Sequence, residues 1–457
     1  MVVDRSRLPE LGPTPAFRFP SIVRHTLANG LELRTVEHSS IPVVSLVLFA
    51  RGGLGADPPL REGLAALTAD LADEGTPTLS ALEVSDALSR IGGDYDVEVG
   101  ADAIAFSLVT LTRFADRGAS LLADITTRPA LRQEDFDRVR QQRLDRLTQL
   151  KTVPQALAEK AFDHLLYGAH PYGHLAIGSA SALAAIDLDQ ARRFHAAVFQ
   201  PSRAILVLVG ALSHDQLRAV GERAFGSWTD TKSTDAVQIA ADIEPPAASA
   251  VRRAIVPRRG AAQSELRIGH LSARRNTPDY SALMVMNAVL GGQFVSRVNL
   301  KLREEKGFTY GAYTGFDWRR GLGSFSLETS VHTASTAEAI SDSLRELEDI
   351  RGARPPASEE MALAKASLTL GYPRGFETAE QIARSVASLA LHGLPDSYFA
   401  EFVPKVTAVT IDEVVRVARL YIDPARLTTL VVGDHDEIGA SLDRLGLGEW
   451  QVLPSEL

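Results

Sequence analysis

One segment of this chain occurs twice, and that duplication limits the possible folds more than any other feature. Residues 186–210, IDLDQARRFHAAVFQPSRAILVLVG, align without gaps to 409–433, VTIDEVVRVARLYIDPARLTTLVVG, at a constant offset of 223 positions. Both copies begin with a helix-start signal: Asp187 with Gln190, and Thr410 with Glu413, fit a capping box. An amphipathic helix follows in each, then an x-Pro-x-Arg turn at Pro201 and Pro424. Each copy ends in a β-branched apolar run closed by glycine, AILVLVG and TTLVVG, which reads as a buried strand. Upstream, Phe106-Ser107-Leu108 matches Phe325-Ser326-Leu327, each followed by a helix ending LLADI or ELEDI. The chain therefore reads as two copies of one domain.

The boundary falls in 229–250, TDTKSTDAVQIAADIEPPAASA, which is polar, carries Pro245-Pro246 and shows no sustained period. This predicts domains at 1–232 and 251–457 joined by a linker at 233–250. Each half opens on strand-like segments, LELRTV and VVSLVLFA in the first, RRAIV and SELRIGHL in the second. Helical patterns follow, including 131–151. Strands then helices in each half predict an α+β fold: two homologous sandwich domains, each a mostly antiparallel sheet with helices packed on one face. A length of 457 residues agrees with at least two cores.

Composition excludes several functions. A hydrophobic content of 45% with 23% charged residues is that of a globular chain, and a net charge of -9 argues against a nucleic-acid partner. The absence of cysteine removes disulfides, thiolate metal sites and a cysteine nucleophile. No apolar run is long enough to span a bilayer, and the start MVVDRSRLPELGPTPAF lacks the order of a secretory signal. As written, the chain is expected in the cytoplasm, with the periplasm open if a signal peptide has been removed.

Two segments carry the functional argument. Residues 63–76 read GLAALTADLADEGT. They resemble the helix of the pitrilysin and mitochondrial-processing-peptidase family, which writes G-x-A-H-x-x-E-H-x-x-x-x-G-T for its inverted zinc motif. Gly63, Ala65, Gly75 and Thr76 keep the frame, but Ala66 and Asp70 stand at the two histidine positions and Ala69 at the catalytic glutamate. The resemblance places a third ligand, a glutamate, near Asp145 to Leu147, yet no glutamate lies between Glu134 and Glu159. Alanine offers zinc no donor and water no base. Taken by itself, the segment is an amphipathic helix with Ala and Leu in a core. No metal is expected in this chain.

The second segment, GGQFVSRVNLKLREEKGFTYGAY (291–313), resembles the same family's C-terminal pattern G-x-x-S-R-L-x-x-x-L-R-E-K-x-G-x-x-Y, with Gly291, Ser296, Arg297, Leu302, Arg303, Glu304, Gly307 and Tyr310 in register. The resemblance implies that Arg303 and Tyr310 hydrogen-bond a peptide backbone near its scissile bond. Guanidinium and phenol donors suit carbonyls and developing negative charge. Without the register, the same two residues would read as a surface ion pair and a half-buried ring.

His170 and His174 in AHPYGH are separated by Pro171 and Gly173, which argues for a loop rather than one helical face. The family resemblance implies a zinc-free subunit of a heterodimeric peptidase: a homologous partner would supply zinc, and this chain would bind unstructured peptides through Arg303 and Tyr310. The alternative is a degenerate structural or peptide-binding scaffold with no part in proteolysis.

Overall fold

The computed structural model describes residues 17–231, 239–243 and 251–454. The apolar runs become the strands of two six-stranded sheets. The first sheet contains β1 (Val23–Thr26), β2 (Glu32–Glu37), β3 (Val43–Arg51), β4 (Asp94–Val99), β5 (Ala103–Leu111) and β6 (Ala204–Gly210), in the order β1-β2-β6-β3-β5-β4. The second contains β7 (Arg253–Pro257), β8 (Gln263–Leu271), β9 (Ala312–Asp317), β10 (Ser324–His332), β11 (Thr428–Gly433) and β12 (Gln451–Val452), in the order β12-β7-β11-β8-β10-β9. Only β2–β6, β7–β11 and β7–β12 pair in parallel, so both sheets are mostly antiparallel, as expected.

The duplicated segments take equivalent places. Both glycine-closed runs become central, fully buried strands, β6 and β11. Both expected capping boxes form, at Asp187–Gln190 and at Thr410–Glu413. Phe106 and Phe325 lie fully buried on β5 and β10. The copies differ at one margin. β1 comes from the start of the chain and runs antiparallel to β2, whereas β12 comes from its end and runs parallel to β7.

Alternation along the strands divides each sheet between two cores. In β6, Leu206 and Leu208 point into the core that the first half builds with its own helices. Ile205, Val207 and Val209 point the other way, onto the helix Ala379–His392 from the second half. In the second sheet, Ile255 and Val431 face their own helices, while Ala254, Val256, Leu430 and Val432 meet the helix Pro154–Tyr167 from the first half. Each half thus packs its own helices on one face, as predicted, and covers the other face with a helix from its sister. Each fully buried Leu, Val or Phe in these shared layers contributes about 1.5–3 kcal/mol, which makes the two halves one packed body.

Arg319, after β9, pins the junction. Its guanidinium lies between the rings of Tyr167 and Tyr172, at 4.6 and 4.7 Å from their centroids. It pairs with Asp317 at 2.6 Å and donates to the Tyr172 carbonyl at 3.1 Å, with Asp163 at 3.9 Å. Burial pushes the Asp163 carboxyl up to about 7 against the pull of Arg319. The expected linker at 233–250 lies outside the described residues except for 239–243. There a short turn, Ala240–Asp242, buries Ala240 beside Leu54 and Tyr172.

Candidate functional site

The 63–76 segment forms a short helix, Leu64–Asp70, that breaks into turns before Gly75. Backbone geometry explains why the motif frame has its glycines. Gly63 has φ +96°, and a Cβ there would meet Gly178 Cα and Ile177 O at 3.0 Å. Gly75 has φ +139°, with Arg132 Nη1 and Leu79 O in the way of any side chain. Both positions favour glycine whether or not a metal is nearby. The helix start is capped from a distance: Gly63 and Ala65 amides donate to the two carboxylate oxygens of Asp57, each at 2.6 Å. Burial pushes Asp57 up to about 7, against those two amide bonds.

At the degenerate positions, Ala66 and Ala69 are buried in the first half's interior. Asp70 is answered by a residue the motif does not contain. Arg143 Nη1 donates to Asp70 Oδ2 at 2.5 Å, and its Nη2 donates to the Ala176 carbonyl at 2.7 Å. Burial raises the Asp70 pKa, and Arg143 opposes that rise. Arg143 lies on the helix Gln133–Leu150, one turn ahead of the segment where a third carboxylate ligand was expected. In that segment Asp145 and Arg146 are exposed and Leu147 is buried. The residues present do not fit zinc. Two methyl groups replace donors, and the one carboxylate already holds a cation whose charge repels a second.

The sequence reading missed Arg143, although a signal was there. Phe136, Val139, Arg143 and Leu147 fall on one helical stripe, and all four are buried. A charge on an otherwise apolar stripe demands a partner.

The C-terminal segment is built in the opposite way. Arg297 is consumed by structure: it is buried, pairs with Glu360 at 2.6 Å and donates to the carbonyls of Arg354 and Pro355. Asn299 accepts the Ala312 amide at 3.0 Å and donates to the Phe294 carbonyl at 2.7 Å, tying the segment to β9. The next turn, Leu300–Glu305, is a π-helix, a form that often marks functional positions. Arg303 sits in it with its guanidinium 4.2 Å from the Phe294 ring centroid and 3.5 Å from Glu304. Tyr310 occupies a bend fixed by Thr309, Gly311 and Thr329, in which Thr329 Oγ1 donates to the Gly311 carbonyl at 2.9 Å and the Gly311 amide donates to Thr309 Oγ1 at 3.0 Å. Its own side chain is 90% exposed. Phe294, Val295, Leu300 and Tyr313 of the same segment are exposed as well.

Among the described residues, no hydrogen bond or ion pair joins Arg303 or Tyr310 to each other or to the motif helix. His170 and His174 lie in a loop. His170 Nδ1 accepts the Tyr172 amide at 3.1 Å, and His174 lies 3.9 Å from Asp57. Burial lowers the pKa of both. No group of three or more potential metal-binding side chains occurs among the described residues, and no helix there is long and apolar enough to cross a membrane.

Comparison with known proteins agrees with this geometry. Residues 34–177 match the family model described as insulinase, peptidase family M16, and residues 185–368 match the one described as peptidase M16 inactive domain. An uncharacterized zinc protease of Mycobacterium tuberculosis is 25% identical over 90% of this chain and 93% of the relative. A Helicobacter pylori protein named non-peptidase homolog is 24% identical over 66% of this chain and 69% of its own length. Among solved structures, a peptidase M16 inactive domain from Pseudomonas fluorescens superposes with a TM-score of 0.84 at 23% identity, covering 90% of this chain and 98% of that one. A Helicobacter pylori protease reaches 0.82 at 19% identity, covering 91% and 100%. The two matched stretches span both halves, and the paired-sheet fold is shared, so the chain belongs to peptidase family M16.

Proposed function

We propose that this chain is the zinc-free subunit of a two-chain peptidase, in which it helps to form the chamber and holds the peptide through Arg303 and Tyr310. The observation that carries the reading is the contrast between the two segments. Ala66 and Ala69 are buried and Asp70 is neutralised by Arg143, whereas Tyr310 stands exposed and Arg303, half-buried on Phe294, has only its neighbour Glu304 as an ion-pair partner among the described residues. A homologous subunit with an intact zinc motif would supply the metal and its water chemistry. Substrates would be unstructured peptides, bound extended along an open sheet edge such as β9, which begins two residues after Tyr310 and pairs only with β10.

The test is co-purification with a zinc-bearing homologue from the same genome, with metal content measured for each chain and cleavage followed on a fluorogenic peptide. Zinc is expected in the partner alone and activity only in the mixture. Arg303→Ala should lower turnover about ten- to a hundred-fold, the loss of a positioned charged donor. Robust chelator-sensitive cleavage by this chain alone would overturn the proposal.

A scaffold role without proteolysis is the second reading, favoured by the Asp70–Arg143 pair, which stabilises the helix without any chemistry. It predicts peptide binding with no cleavage in any mixture with zinc-bearing homologues.

A further inference from the structure

A cavity of about 330 Å3 lies where the two halves meet, and its lining includes neither Arg303 nor Tyr310. Its charged and polar walls are Arg51, Arg274, Asn276, Arg320, His392 and Asp242. Arg51 ends β3 of the first half. Arg274 follows β8 and Arg320 follows β9, both in the second half, and His392 ends the helix that crosses from second half to first.

The backbone on both sides is fixed. The Arg320 amide donates to Asp102 at 2.7 Å, and the Arg275 amide donates to the Arg319 carbonyl at 3.0 Å. The guanidiniums of Arg51, Arg274 and Arg320 form no ion pair or hydrogen bond among the described residues. Two buried polar atoms in the lining, Arg51 Nε and His392 Nδ1, have no protein partner there either. Buried polar atoms are almost always satisfied, so both residues keep hydrogen-bonding capacity that the described protein groups do not use.

The electrostatics point the same way. Asp242 and the carbonyl end of the helix Ala379–His392 offset part of the charge, but three guanidiniums leave the cavity positive. Arg51 has its pKa lowered by burial and then by Arg320, and His392 is pushed down to about 4 by burial, Arg275 and Arg320. His392 is therefore neutral near pH 7, while Arg51 and Arg320 repel one another in a chain of net charge -9. An anion held by the guanidiniums would relieve that repulsion. A second cavity of about 270 Å3 shares Leu391 and His392 as a wall, and there Val47, Phe49 and Trp318 stand beside Glu98, Asp102, Asp317 and Arg384, so its lining is mixed.

We propose that this cavity binds an oxyanion of carboxylate or phosphate type, held by Arg51, Arg274 and Arg320 across the junction. Isothermal titration at fixed ionic strength, with chloride as the balancing anion, tests it. The probes are inorganic phosphate and a leucine-ended tripeptide with its C-terminus free or amidated. Saturable binding of phosphate identifies a phosphate head, and binding of the free but not the amidated tripeptide identifies a peptide carboxylate. The double variant Arg274→Gln/Arg320→Gln should weaken whichever binds at least ten-fold, and Arg90→Gln, outside the lining, should not. Arg274 is exposed, so Arg274→Gln alone keeps its fold and should still weaken binding about three-fold. No saturable heat with any probe, or equal affinity in the variants, overturns the site.

Discussion

The two halves share one sheet topology, yet they treat their informative polar residues in opposite ways. In the first half, Asp70 is held in an ion pair with Arg143 and the neighbouring alanines are buried. In the second half, Arg297 and Asn299 tie the segment into the fold, Tyr310 stands exposed, and Arg303 lies half-buried against Phe294 and Glu304. Two copies of one domain can thus pair a polar residue with a distant partner in one half and leave the corresponding structural work to sequence neighbours in the other.

The largest effect should come from an attempt to restore the first half. Ala66→His, Ala69→Glu and Asp70→His alone should bind no stoichiometric zinc, because Arg143 remains beside the site. Adding Arg143→Glu, which removes the cation and supplies a carboxylate, should give one zinc per chain by elemental analysis. Equal uptake by the three-substitution protein would show that the guanidinium is no obstacle.

Next is the junction that holds the halves in a single comparison. Arg319→Leu leaves Asp163 and Asp317 without their cation and should cost about 3–5 kcal/mol in a urea melt. A change under 1 kcal/mol would mean that the shared helices alone fix the halves.

The Asp70–Arg143 pair should matter less, because the Asp70 side chain is 36% exposed and water screens part of the attraction. Arg143→Leu is expected to destabilise by about 1–3 kcal/mol, and a double-mutant cycle with Asp70→Asn should return a coupling near 1 kcal/mol. Zero coupling would make the pair incidental. Smallest of all, Arg303→Ala and Tyr310→Phe should each leave stability within about 0.5 kcal/mol of the parent. A larger loss would place these two residues in the fold rather than at a working surface.

Much of this architecture was legible in the sequence because its signals are local. Capping boxes, the Pro-containing turns and glycine-closed apolar runs each specify their own few residues, and all appear where they were expected. The helices Pro154–Tyr167 and Ala379–His392 show the limit. Their apolar faces announce burial, but nothing in an apolar face names the sheet it will cover, and both cross to the other half. The Asp70–Arg143 pair is non-local for the same reason: 73 positions separate its members. Register in the 291–313 segment picked out Arg303 and Tyr310, but their exposure depends on bonds from Thr329, Asn299 and Glu360, which no spacing rule predicts.

The crossing helices have one more consequence. They stand at equivalent places in the two copies, and each completes the sheet of the other. That is the isologous logic of a two-fold dimer, written into a single polypeptide. A half-chain expressed alone would expose a bare sheet face and a homeless helix, and its natural remedy would be to find a second half-chain and exchange. Symmetry therefore survives as a mutual obligation between the two copies.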